Sequence, residues 1–143
     1  MKIAHILSNK SPFVATIKAG ASVKHLVDEL KKYGIGALIV SDDGRRIDGI
    51  VSERDIVRKL SEFVGEVSLL KVEDIMTRDV FTCSADDDVE KLMEVMTEHK
   101  FRHVPVVEDD GSLFGVVSIG DLVKYRIEEL HDERAALINY ITN

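Results

Sequence analysis

GIVSERD, Gly49 to Asp55, and its echo GVVSIGD, Gly115 to Asp121, decide how this chain is read. Each opens on a glycine, runs through apolar β-formers and closes on Ser-x-x-Asp where helical periodicity begins, at Ile56-Val57-Leu60 and Leu122-Val123-Ile127. A strand is therefore expected to deliver its last residues into a helix N-terminus, twice. Such a terminus has unsatisfied N–H groups and a partial positive charge, so a hydroxyl and a carboxylate there can cap the helix or help hold a phosphorylated sugar.

The copies define a repeat. Val14, Val23, Leu26, Ile35, Val40, Gly49, Ser52 and Asp55 recur at a constant shift of 66 as Val80, Val89, Leu92, Phe101, Val106, Gly115, Ser118 and Asp121. Before them, Ile3, Ile6 and Leu7 suggest a helical turn and Phe13 to Thr16 a short strand. Val23, Leu26, Val27 and Leu30 mark a helix from Ala21 to Tyr33, stopped by Gly34. Ile35 to Val40 and Ile47 to Val51 read as a hairpin around Asp42-Asp43-Gly44, and Glu53 to Phe63 as a helix. The expected fold is α+β: two β-α-β-β-α units packed about a pseudo-twofold axis, because one three-stranded sheet cannot cover both its faces. The expected divisions are 1–64, 65–126 and a C-terminal helical extension over 127–143. Clefts between the halves are the expected binding sites.

Composition narrows the function. A length of 143 residues suits two small halves sharing a core. The 45% apolar and 31% charged residues are ordinary for a globular protein, and no apolar run approaches the ~20 residues of a membrane span. The start, MKIAHILSNK, shows no apolar signal region, and Cys83 stands alone, so a cytoplasmic protein without disulfides is expected. With 19 basic and 26 acidic residues the net charge is −7, which opposes binding to nucleic acid.

The stretches Asp74–Thr82 (DIMTRDVFT), Tyr33–Val40 (YGIGALIV), Gly49–Val57, His99–Val107 (HKFRHVPVV) and Gly115–Val123 together resemble a tandem pair of CBS domains, a Bateman module, over residues 1 to about 126. The resemblance implies a regulator or sensor, not an enzyme. Its ligand would be adenosine-containing: AMP, ADP, ATP, NAD(H) or S-adenosylmethionine, with no catalytic cofactor. It places Asp55 and Asp121 on ribose hydroxyls, which suits an acceptor-only carboxylate, with Ser52 and Ser118 close by. Thr77 is expected in the Asp55 cleft and Ser8 in the Asp121 cleft, although the linker from Ser8 to Thr16 is three residues longer than that from Thr77 to Thr82. Backbone at Ile35, Gly36, Ala37 and Leu38, and at Phe101, Arg102, His103 and Val104, would meet adenine, with Arg102 and His103 toward phosphate. Having Ser52, Arg54 and Thr77, the Asp55 cleft is expected to be the fuller one.

Plainer readings compete. Ser-x-x-Asp is also a capping box, Arg54 is also a solvated first-turn residue, and Lys100, Arg102 and His103 are also a solvated strand edge. Asp86-Asp87-Asp88 reads as a helix N-terminus, and the five histidines have no metal-ligand spacing among themselves or with Cys83. No catalytic motif is found. A ligand-free interaction module of the same fold remains the alternative. The positions Val123, Ile127, Leu130, Leu137 and Ile141 form a seam-like stripe, from which a homodimer is expected, along with a downstream protein partner.

Overall fold

A computed structural model describes residues 1–142; Asn143, the last residue of the expected extension, lies outside them. In chain order the elements are α1 (Ile3–Ser8), β1 (Thr16–Ile17), α2 (Val23–Tyr33), β2 (Ala37–Val40), β3 (Gly49–Ser52), α3 (Glu53–Glu62), a 3-10 turn (Val67–Leu69), α4 (Val72–Ile75), β4 (Cys83–Ser84), α5 (Val89–His99), β5 (His103–Val107), β6 (Leu113–Ser118) and α6 (Ile119–Thr142). The fold is the expected α+β pair of repeats. Each half has one three-stranded sheet, ordered β1-β2-β3 and β4-β5-β6, with a parallel first pair and an antiparallel second pair.

Local chemistry explains the helix ends. Ser22 caps α2 by accepting from the His25 N–H, and Gly34 ends it in the left-handed conformation (φ 64°). The equivalent end of α5 places Lys100 in that conformation (φ 59°). Strand β1 is shorter than the Phe13–Thr16 run suggested, because Phe13 and Val14 turn into the space between the halves instead of pairing with β2.

The halves exchange their leading segments. Ile3 and Ile6 of α1 are buried in the core of the second half, with Val89, Leu92, Val104, Val117 and Leu122, although they come first in the chain. Val72 of α4 is buried in the core of the first half, with Leu26, Leu38 and Val51. Backbone bonds hold both: Ile3 and Ala4 donate to Asp87 and Ala85, while Val72 and Glu73 donate to Ala21 and Ala19. The segment assigned to the first repeat by position thus packs on the second. The motif glycines make room for it, since a Cβ on Gly49 would lie 2.7 Å from the Thr77 carbonyl and one on Gly115 3.0 Å from the Leu7 side chain.

The last helix is one continuous element. Leu122 and Tyr125 anchor it in the second core, and every residue from His131 to Thr142 is exposed. It does not fold back over its own sheet. No helix among the described residues is long and apolar enough to cross a membrane.

Candidate functional site

Both Ser-x-x-Asp motifs are capping boxes. The Asp55 carboxylate accepts from the Ser52 N–H at 2.8 Å, and Asp121 accepts from the Ser118 N–H at 2.9 Å. Each serine hydroxyl in turn accepts from the backbone N–H of its aspartate. What differs is what lies in front of the two carboxylates.

In front of Asp121 is a cavity of about 1090 Å³, at the upper end of the range for small-molecule pockets. One wall comes from the first half, with Tyr33, Ile35, Gly36 and Ala37. The facing wall comes from the second half, with Gly115, Ser118 and Asp121, while the exchanged N-terminal segment contributes Ser8 and Lys10. His103 reaches the same space, and a Cβ on Gly36 would lie 3.5 Å from its imidazole.

Asp55 lines neither this cavity nor the groove along α3. This carboxyl is 8% exposed, takes a further hydrogen bond from the Ser52 hydroxyl, and has Arg58 at 3.4 Å. Thr77 exchanges two backbone hydrogen bonds with Ile50, so its segment extends the first sheet. Arg54 lines only a shallow groove along α3 with Val57 and Ser61. The fuller motif set expected at Asp55 and the open volume at Asp121 thus fall on different sides of the repeat. At the shift of 66, the cavity residues Ala15, Ile35, Gly36 and Ala37 become Phe81, Phe101, Arg102 and His103. Phe81, Phe101 and His99 stack, with ring centroids 5.7 and 5.6 Å apart.

Of the residues singled out from sequence, Ser8, Ile35, Gly36, Ala37, His103, Ser118 and Asp121 share the cavity. Ser52, Arg54, Asp55, Thr77, Phe101 and Arg102 do not line it. Leu38 and Val104 are buried in the two cores, leaving only their backbone for any cleft. Sequence reasoning missed Phe13 and Tyr33, whose rings lie 5.5 Å apart at the cavity, and above all Lys10. The signal for Lys10 was the longer linker: Lys10, Ser11 and Pro12 all line the cavity.

Lys10 sets the electrostatics. Its Nζ donates to Asp121 Oδ2 at 2.7 Å and to the Val116 carbonyl at 2.8 Å. Burial works against the charged form of Asp121, but the Lys10 and Ser118 hydrogen bonds outweigh it and hold this carboxyl below the usual range. Burial, with Arg102 close by, holds the His103 imidazole below its ordinary value against the pull of Asp121 and Glu53. Among the described residues, the Lys10 and Ser118 N–H hydrogen bonds to the Asp121 carboxylate both fall on Oδ2, and Asp121 lines a roomy, largely apolar space. A vicinal diol supplies donors suited to such a group, and an aromatic base suits the Tyr33 and Ile35 wall. Among the described residues no cluster of side chains suits a metal ion.

The CBS domain family description matches residues 5–62 and again 72–128. A 17.7 kDa protein of Acidianus ambivalens is 33% identical over 86% of this chain and 71% of its own length. The mitochondrial CBS domain-containing protein CBSX3 of Arabidopsis thaliana is 35% identical over 84% of this chain, which spans 60% of that relative. Among solved structures, a CBS-domain containing protein from Agrobacterium tumefaciens superposes with a TM-score of 0.82 at 38% identity, covering 88% of this chain and 99% of its own. A CBS domain protein from Pyrobaculum aerophilum complexed with AMP gives 0.74 at 29% identity, covering 85% and 89%. A CBS domain pair in complex with 5′-methylthioadenosine and S-adenosyl-L-methionine gives 0.77 at 25% identity, covering 90% and 98%.

Proposed function

We propose a function from one premise: the chain belongs to the CBS domain family, with two repeats in tandem. It is a regulatory module that binds an adenosine-containing ligand in the cavity at Asp121. The observation that carries this reading is the Asp121 carboxylate, which lines a cavity of about 1090 Å³ between the halves and, among the described residues, takes the Lys10 and Ser118 N–H bonds on one oxygen, Oδ2. The AMP-bound and S-adenosylmethionine-bound relatives supply the ligand class. Ribose hydroxyls take Asp121, adenine lies against Tyr33, Ile35 and the backbone of Gly36 and Ala37, and the sugar's substituent lies toward Lys10 and His103. The chain binds and reports; it does not turn the ligand over.

A second reading rests on a separate observation. Val57 and Leu60 of α3 and Val123, Ile127 and Leu130 of α6 are exposed apolar residues, and α6 continues through exposed Leu137 and Ile141. Spacings of four and three residues fit a helix seam against a second copy, so the module is proposed to act as a homodimer that passes ligand occupancy to a downstream protein. If no ligand binds, this interaction surface is what remains of the function.

Mass spectrometry of small molecules released from the purified protein, followed by calorimetric titration of AMP, tests the assignment. An adenosyl compound in the eluate, or a saturable AMP isotherm near one site per chain, is expected. An empty eluate together with a flat isotherm for AMP, ATP, NADH and S-adenosylmethionine would remove the sensing role.

A further inference from the structure

Lys10, Ser11 and Pro12, in the linker that is three residues longer than its counterpart, all line the cavity, and Lys10 brings an ammonium onto Asp121. The corresponding carboxylate, Asp55, has only the exposed Arg58 beside it at 3.4 Å. Asp121 thus takes its cation from the N-terminal linker, whereas Asp55 takes its own from the next turn of its helix. Lys10 Nζ has three N–H donors, of which two are used, on Asp121 and on the Val116 carbonyl. Its charge and that of Asp121 cancel, and His103 is the other basic group in the lining.

This balance has a consequence for the ligand. A ribose that bonds to Asp121 draws on the same negative charge that balances Lys10, whose Nζ still has a third N–H to place. The ammonium, on its flexible four-carbon stem, then favours a second anion within reach. A phosphate on the ligand supplies one. A neutral substituent does not, and a sulfonium places a second cation beside one carboxylate.

We propose that Lys10 is the specificity-determining residue of this cavity, selecting adenosine ligands that carry phosphate over neutral or cationic ones. The inference rests on reading the cavity as an adenosine site.

Calorimetric titration of AMP, adenosine and S-adenosylmethionine into the full chain and its Lys10→Met, Lys10→Arg and Asp121→Ala variants tests both layers separately. In the unaltered protein AMP is expected to bind at least about tenfold more tightly than adenosine, as one charge-assisted contact allows, and more tightly still than the sulfonium. Lys10→Met is expected to bring AMP and adenosine within about threefold of each other, by weakening AMP and sparing adenosine, while Lys10→Arg keeps the preference. Asp121→Ala is expected to weaken all three ligands together. An AMP-to-adenosine ratio near one in the unaltered protein, or a ratio that Lys10→Met leaves unchanged, overturns the role of Lys10 while leaving the site standing. Failure of all three ligands to bind, or binding indifferent to Asp121→Ala, overturns the adenosine reading and the inference with it.

Discussion

At the scale of single residues, the repeat allows the same position to be compared in two settings. Gly34 and Lys100 both end a helix in the left-handed conformation, at φ 64° and 59°. Only the glycine does so without a Cβ penalty. Lys100→Gly should therefore stabilise the protein by about 0.5–1 kcal/mol, read as a rise of about 2–4 °C in the melting midpoint. His103 gives a pH dependence of definite sign. Its folded-state value lies below that of an unfolded histidine, so as pH falls through about 6.5 the unfolded chain takes up the proton first and stability is lost. Melting curves from pH 7.5 to 5.5 should fall more steeply for the unaltered protein than for His103→Gln. Parallel curves would show that burial of the imidazole has no such effect.

At the scale of elements, the exchange of α1 and α4 ties the halves together, and the glycine opening each motif strand is where the exchanged segment crosses. A methyl group on Gly49 meets the Thr77 carbonyl at 2.7 Å and Met76 Sδ at 2.9 Å, whereas on Gly115 it meets the movable end of Leu7 at 3.0 Å. Gly49→Ala should cost about 1–3 kcal/mol by denaturant unfolding, and Gly115→Ala clearly less. Equal costs would mean that the Thr77 segment yields as readily as a leucine tip. The repeat itself was legible in the sequence, because its core positions recur at one shift: Leu26 and Leu92, Val40 and Val106 and both Ser-x-x-Asp boxes form equivalent structures. The exchange was not legible in periodicity, since α1 and α4 have six and four residues and owe their place to contacts distant in sequence, and only the family resemblance put Ser8 with Asp121 and Thr77 with Asp55. The open cleft could have been read by comparing side-chain sizes at that shift, Ala15 against Phe81 and Gly36 against Arg102. Motif completeness pointed instead to Asp55, whose carboxylate is largely occupied by its own capping box and Arg58.

At the scale of the whole molecule, two surfaces converge on one design: a cavity between the halves and apolar stripes on α3 and α6. Removing 131–142 takes away no residue buried within one chain, so a fall of more than about 2 °C in the melting midpoint after truncation would report lost contact between copies. If α6 joins two copies, light scattering should give twice the chain mass for the full protein and a lower mass after truncation; a monomeric full-length protein would contradict the dimer. The sensing account stands on which carboxylate meets the ligand, and calorimetric titration of AMP into Asp121→Ala and Asp55→Ala, with melting curves to show that both fold, tests it most directly. Loss of a charged hydrogen-bond acceptor is worth about 1.5–3 kcal/mol, so Asp121→Ala is predicted to weaken AMP by roughly 10- to 100-fold and Asp55→Ala by less than about twofold. A large loss in Asp55→Ala beside an unchanged Asp121→Ala would place the ligand in the other cleft and contradict the account.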